Sequence, residues 1–421
     1  MTDIVAFESG TEPAAPVEPE VAPSSAAPSP AAPSPAEPPV HVHLATPEEL
    51  DSWDASAVAS PNGHVYQSRA WAEYRAAQGW RTWHLAFDDG FRLLVLGRPR
   101  SVAGGGSAYA SRGPIPEESP ERSVQRAAAA AELLANEGQH ALTVDGETPA
   151  SIGLGQLLVA AGFEPTEELG SRCHRMDIHL GPDDVPNSDE KTIFASFGAT
   201  TRNLIRQADR HGLRVKRVDA GGGRAEEETA ATLDEEFEPV ELGDEATIDE
   251  MLRAFYSMVD GTTRRRTFAL TSEETFLDWS RRGIAAGHVL YLQAEHPLEG
   301  PIAGATFYRH GHRLTYSIAG DRTDLRRKYP GAVRLLVWRG IQIALDERRT
   351  TVDLGGVDVE GARGKPDKGD PTYGMYQFKE SFGARWVELT GAYQRATHRP
   401  RLGVGRVARA LRQLGRSRAV R

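Results

Sequence analysis

A mixed α+β protein made of two units is what this sequence predicts, and three observations carry the prediction. Segments with strand alternation and segments with helical spacing follow one another along the middle of the chain. A length of 421 residues with 39% hydrophobic content supplies apolar side chains for two cores. A fresh strand, "RCHRMDIHL", opens near residue 171 after a first unit has run through strands and helices of its own.

Residues 1–40 hold ten of the 27 prolines, six acidic residues and no Lys or Arg, so a disordered, partly extended arm is expected there. Ordered sequence starts near "HVHLATPEEL", where Thr46, Pro47, Glu48 and Glu49 combine a cap, a first-turn proline and early acids. In "YQSRAWAEYRAAQGW", Trp71 and Tyr74 share a helical face and Gly79 stops the helix. "RTWHLAFDD" and "FRLLVLGRPR" read as a hairpin about Gly90. "AYASRGPIP" is a strand entering a Pro-stiffened loop, Ser123 to Asn136 an Ala-rich helix, and "HALTVDG" another strand. These elements define a first unit over 41–170.

The second unit covers 171–384. Its clearest part is "TRNLIRQADRHGLRVKRV", where Arg202, Arg206 and Arg210 recur every four residues on one helical face and Gly212 suits a left-handed helix end. Leu213, Val215 and Val218 then begin a strand. The acidic stretch from Gly221 to Glu250 is expected to include a mobile linker. "EETFLDWSRRGI" reads as a helix and "HVLYLQAEH" as a strand; "PIAGATFYRHGHRLTYSIAGD" is a hairpin turning at His310-Gly311-His312. "GAVRLLVWRGIQIALDERR" is an amphipathic helix and "TVDLGGV" a strand. A strand near 385–394 is a candidate to return to the first unit.

Composition excludes several classes. One cysteine, Cys173, leaves no intramolecular disulfide and suits a reducing cytoplasm. No apolar run approaches the roughly 18 residues of a membrane helix, and the acidic, Pro-rich N-terminus lacks a signal pattern. The net charge of −10 is uneven, because residues 395–421 carry nine Arg and no acid, leaving 40 basic against 59 acidic residues before them. In that tail Val407, Leu411 and Leu414 fall on one side among arginines, as in a helix lying on an anionic membrane; a solvated end is the alternative. Phosphate-loop, dinucleotide-fold and zinc-protease signatures are absent from the sequence. "AGGGSAY" at 103–109 reads as a turn, and "HVH" at 41–43 lacks the companions of a metal site. The arginine face at 202, 206 and 210 points to phosphate binding, because only Asp209 interrupts its positive field.

An ordered series of segments then points to a family: "YQSRAWAEYRAAQGW", "YASRGPIP", "TRNLIRQADRHGLRV", "RRGIAAGHVLYLQAE", "IAGATFYRHGHRLTYSIAGD", "YPGAVRLLVWRGIQIALDE", "VDLGGV" and "YQFKESFGARWVEL". Over about residues 60–393 the chain resembles the Fem family of aminoacyl-tRNA-dependent peptidyltransferases, which build the side-chain bridges of peptidoglycan precursors. The resemblance implies two acetyltransferase-like (GNAT-like) α+β domains facing each other across a cleft. "TRRRTFALTSEETFLDWSRRG" leaves no room for the long helical hairpin that some members insert.

By the same resemblance Lys379 corresponds to the family's active-site lysine, with Phe378 beside it placed to stack on a terminal adenine. Arg75, where a lysine is usual, and Arg266, chosen among Arg264, Arg265 and Arg266, correspond to a clamp on the precursor's diphosphate. Arg202, Arg206 and Arg210 are the expected tRNA contacts. The expected activity is transfer of an amino acid from aminoacyl-tRNA to an amine of a lipid-linked or nucleotide-linked peptidoglycan precursor. It calls for no cofactor and no metal, and the chain is expected to act as a cytoplasmic monomer with peripheral contact to an anionic membrane through 395–421. The rivals are an acyl-CoA N-acyltransferase, a Fem-like enzyme of exopolysaccharide synthesis, and a non-catalytic tRNA- or membrane-binding scaffold. A coenzyme A donor would want a Gly-rich loop before a helix, of which "LRRKYPGAVRLL" is a thin version.

Overall fold

Fifteen strands fall into two sheets in the computed structural model, which describes residues 39–61, 63–98, 106–114, 119–167, 173–181, 189–220, 237–266, 270–357 and 364–398. The expected arm at 1–40, the linker inside 221–236 and the tail beyond His398 therefore lie outside the described residues, apart from positions 39 and 40. The strands in chain order are β1 (Val42–Leu44), β2 (Arg81–Phe87), β3 (Arg92–Gly97), β4 (Ser107–Ala110), β5 (Ala141–Val144), β6 (Glu164–Thr166), β7 (His174–His179), β8 (Arg214–Val218), β9 (Phe237–Pro239), β10 (Val289–His296), β11 (Gly300–His310), β12 (Arg313–Asp321), β13 (Thr351–Asp353), β14 (Arg385–Glu388) and β15 (Ala392–Ala396). The helices are α1 (Pro47–Asp51), α2 (Trp53–Ala57), α3 (Arg69–Ala77), α4 (Pro120–Asn136), α5 (Leu154–Ala160), α6 (Glu190–Ser196), α7 (Ala199–Arg210), α8 (Glu245–Arg266), α9 (Glu273–Ala285), α10 (Ala332–Asp346) and α11 (Tyr373–Glu380).

The first sheet runs β1-β2-β3-β4-β5-β15-β6 and the second β14-β7-β13-β12-β11-β10-β8-β9. The segment 385–394 thus divides between the sheets. Arg385–Glu388 pairs with β7, whereas Ala392–Ala396 enters the first sheet between β5 and β6.

Local chemistry explains most boundaries. Thr46 and Glu49 form a reciprocal capping box at α1, and Ser68 caps α3 through the Trp71 amide. Gly79, Gly90 and Gly212 all take positive φ where helices or the β2–β3 turn end. In β10, Leu290 and Leu292 face one core while Val289 and Tyr291 face another, the alternation a strand imposes. Helices α6, α7 and α10 therefore cover one face of the second sheet, and α8 and α9 the other. Helix α10 reads as amphipathic in sequence but is buried at Leu335, Leu336, Val337, Trp338, Ile341 and Ile343, because neighbouring helices cover its outer side.

The two halves share one core. Trp53, Tyr66 and Trp71 pack with Phe255, Trp279 and Tyr308, with Trp71 edge-on to Trp279 at 4.8 Å. The tip of the β11–β12 hairpin presses on the first half, where the Gly311 N–H donates to the Val58 carbonyl at 2.8 Å. A Cβ on Gly311 would lie 2.3 Å from the Pro61 carbonyl oxygen, so glycine is required there by space as well as by its φ of 52°.

Candidate active site

The second sheet creates a cavity by splaying apart. Strands β12 and β13 pair in parallel only from Arg313↔Thr351 to Thr315↔Asp353; β12 then continues to Asp321 paired with β11 but not with β13. A register shift against β11 leaves Ser317 without a cross-strand partner at that point, a bulge of the kind that re-aims side chains beside sites. The gap is a cavity of about 350 Å³, whose lining includes Tyr316, Ser317, Arg334, Met375, Phe378 and Lys379. Its floor comes from the first turn of α10 and from α11.

Lys379 is 3% exposed, although the quoted motif would equally allow a solvent-facing lysine. Its Nζ donates to the Gly355 carbonyl at 2.9 Å and to the Gly356 carbonyl at 2.6 Å. The ammonium is thus held in the cavity wall by the turn that follows β13. Phe378 is half-buried and meets Phe382 edge-on at 5.4 Å, while the Arg334 guanidinium lies 4.9 Å over its ring. The Phe378 ring therefore carries a cation in this structure.

Behind the Gly355–Gly356 turn lies a second cavity of about 30 Å³ between the two sheets, which shares Tyr316 and Ser317 with the first. Its walls carry a buried ionic network. Glu147 meets Arg112 at 3.2 Å and Arg313 of the second sheet at 2.8 Å. Burial alone would raise the Glu147 pKa, but Arg112 and Arg313, with smaller help from His64 and Arg175, hold it well below the usual carboxylate range. Asp353 moves the other way, to about 6, through burial and the neighbouring Asp177 and Glu147 charges. Its Oδ1 accepts from the Gly355 N–H at 2.6 Å, so the network reaches the turn that holds Lys379. His64 and His310 are pushed well below 6.5, chiefly by burial, which keeps both neutral at pH 7.

Arg75 sits apart, on α3. Its guanidinium lies 4.4 Å over Trp80 and 5.4 Å over Trp71, Nη1 donates to Gln78 at 2.9 Å, and Arg98 approaches Trp80 from 4.7 Å. Burial lowers its pKa, and its Nε is buried without a partner. Arg266 is the last residue of α8, one turn beyond Thr262, which lines the larger cavity; its side chain lies outside the described residues.

The three arginines of α7 do not form one free ridge. Arg202 Nη1 donates to the Ala195 carbonyl at 2.8 Å and to the Phe197 carbonyl, closing the end of α6. Arg206 is exposed and lies 5.2 Å over Phe194, and Arg210 is exposed in the last turn. The structure brings Lys379 and Phe378 together and adds residues that sequence reasoning missed: Arg334, Glu147, Arg313 and Asp353. Arg334 had a sequence signal, an arginine three residues after Gly331 in a helix's first turn. Glu147 and Arg313 had none, because their contact joins distant segments.

Two sheets, with helices on both faces of the second, make the chain a mixed α+β protein, and a solved structure shares this fold. "Crystal structure of FemX" matches with a TM-score of 0.66 and 18% identity, covering 86% of this chain and 98% of that one. Residues 287–409 match the FemAB family model. Among curated proteins, the lipid II:glycine glycyltransferase of Staphylococcus aureus (strain MRSA252) is 23% identical over 405 residues, which is 82% of this chain and 91% of the relative. The chain is thus similar to Fem proteins in sequence over its C-terminal third and to FemX in fold.

Proposed function

We propose that this protein is an aminoacyltransferase that moves an amino acid from aminoacyl-tRNA to an amine of a peptidoglycan precursor's stem peptide. The observation that carries the reading is Lys379, an ammonium fixed in the wall of a cavity beside a strand bulge, in a chain whose curated relative is named a lipid II:glycine glycyltransferase.

The chemistry is undemanding. The uncharged amine attacks the ester carbonyl, a C–N bond forms, the C–O bond to the tRNA ribose breaks, and the amine proton leaves with the ribose hydroxyl or through solvent. An ester is already activated, so the protein must align the reactants and stabilise the oxyanion. Lys379 supplies a fixed positive potential there; its bonds to Gly355 and Gly356 keep it from swinging away. Arg75, with Arg266 from the end of α8, is assigned to the acceptor's diphosphate. Arg75 suits that role, being desolvated and without a carboxylate partner among the described residues. Arg202, Arg206 and Arg210 are assigned to tRNA backbone phosphates, and exposure favours the last two. Among the described residues, no helix is long and apolar enough to cross a membrane, so contact with a lipid-linked acceptor would be peripheral.

The test is single-turnover transfer by the full chain from charged tRNA to lipid-linked and nucleotide-linked precursors, with aminoacyl-coenzyme A as the competing donor. Transfer from tRNA to either precursor supports the reading. Transfer only from coenzyme A, or none to either acceptor, overturns it.

A further inference from the structure

Arg334 is an arginine in a place that opposes its charge. It occupies the first turn of α10, after a Gly331 cap with φ 90° and no side-chain capping bond, where the helix already presents unpaired N–H groups and partial positive charge. No carboxylate pairs with it among the described residues, and its Nε is buried without a hydrogen-bond partner. Burial lowers its pKa, with no neighbouring acid to restore it. Arg175 and Arg309, by contrast, are raised on balance by carboxylates at 2.7 Å or closer despite their burial. Arg75 shows the same downward displacement, also through burial.

A desolvated, unpaired guanidinium destabilises the folded chain, so its retention beside Lys379 calls for an anion that arrives from outside. The cavity fits one. Its lining includes Arg322, Arg326, Arg334 and Lys379; Arg322 pairs with Asp324 and Arg326 with Asp321, which leaves Arg334 as the lining arginine without a carboxylate among the described residues. Its volume of about 350 Å³ suits a mononucleotide-sized ligand. The Phe378 ring lies 4.9 Å from the guanidinium carbon, a cation–π contact that leaves guanidinium N–H donors for a fork.

Resting on the donor reading above, we infer that Arg334, seated against the Phe378 ring, is the positioning residue for a phosphate of the donor's 3′-terminal nucleotide. Phe378 then serves the phosphate through Arg334. Bond making and breaking remain at the ester carbonyl, about one nucleotide away from this contact.

The experiment compares two minimal donors, aminoacyl-adenosine with and without its 5′-phosphate, in the wild type, Arg334→Gln, Arg334→Lys and Phe378→Leu. Wild type should favour the phosphate-bearing donor in kcat/KM by roughly tenfold or more, the scale of a charge-assisted contact. Arg334→Gln should lose most of that preference, mainly through KM. Arg334→Lys should keep part of it, and Phe378→Leu should weaken it because the guanidinium is no longer held. Far-UV dichroism and melting temperature verify that each variant is folded. An equal loss with both donors, or an unchanged preference in Arg334→Gln, overturns the inference. Absence of any transfer by the wild type from aminoacylated RNA would instead refute the donor reading itself.

Discussion

Replacing Lys379 with Met separates what the lysine does for the fold from what it does for the reaction. The side chain is 3% exposed, and its ammonium donates to the Gly355 and Gly356 carbonyls at 2.9 and 2.6 Å. Methionine fills similar space but offers neither proton, so two carbonyls in the cavity wall lose their donors. Each loss costs about 1–3 kcal/mol, part of which is offset because an ammonium no longer has to be buried. A net destabilisation of about 2–4 kcal/mol follows, which lowers the melting temperature by roughly 5–10 °C. Transfer should fall by about 10²–10³, the usual effect of removing one group that stabilises an oxyanion. Single-turnover transfer is measured well below the variant's melting temperature, so that unfolding does not enter the rate. Lys379→Arg serves as the control, since it keeps the charge but cannot place one nitrogen between both carbonyls. Transfer within threefold of wild type in folded Lys379→Met would refute the electrostatic role; an unchanged melting temperature would refute the role in holding the turn.

Other expectations rest on the ion network and the basic surfaces. Glu147→Gln removes the carboxylate nearest to Arg313 and a partner of Arg112, and should cost about 3–5 kcal/mol in denaturant unfolding at pH 7. Because the folded pKa of Glu147 is depressed, its contribution is present above the ordinary carboxylate pKa and fades as pH falls, so the variant should show a shallower acid limb. Asp353 has the opposite sign: with its pKa raised to about 6, stability is full below the unfolded value and declines as pH rises through 6. The effect of Asp353→Asn should therefore become more favourable by on the order of 2 kcal/mol between pH 4 and pH 7, and a pH-independent difference would contradict the shift. Neutralising Arg206 and Arg210 should reduce the salt slope of tRNA binding by about 1–2, measured by filter binding across ionic strengths. Arg202 is left intact in that test because it closes α6. Truncation after His398, which spares β15, should abolish binding to anionic vesicles at low salt if the tail docks there; equal binding would return the tail to a solvated end.

What the sequence disclosed was local or linear. Gly79, Gly90 and Gly212 marked ends that only a positive φ permits, and the His310-Gly311-His312 turn lay between two alternating strands. The Phe378–Lys379 block stood out because its resemblance to a family motif is read along the chain. Its geometry was not, since Lys379 is buried by a turn some 23 residues earlier that periodicity cannot place. The α7 arginines show the limit of counting faces. Spacing correctly put three on one helix side, yet Arg202 turns back to the open end of α6, a need visible only once α6 and α7 are adjacent. The splay between β12 and β13, which makes the cavity, depends on where a parallel ladder stops, and nothing in "TVDLGGV" announces that.

The arrangement of charge and core together says how such a site could work. The halves are joined by an aromatic core around Trp71 and Trp279 and by the buried Glu147–Arg313 pair, so the walls between them cannot separate without exposing both. Amine attack on an ester gains most from alignment, and alignment is what a fixed cleft supplies. Against that rigid frame stand Arg75 in the first half and Arg334 in the second, desolvated, lying over aromatic rings and unmatched by any described carboxylate. Aromatic faces orient a guanidinium without neutralising it, so each arginine keeps its full charge for a ligand. On the proposed reading the protein joins two phosphate-bearing substrates, and each arginine would anchor one of them. The cost of holding both cations unpaired would then be relieved when both substrates bind, and binding energy remote from the reacting atoms would become the means of aligning them.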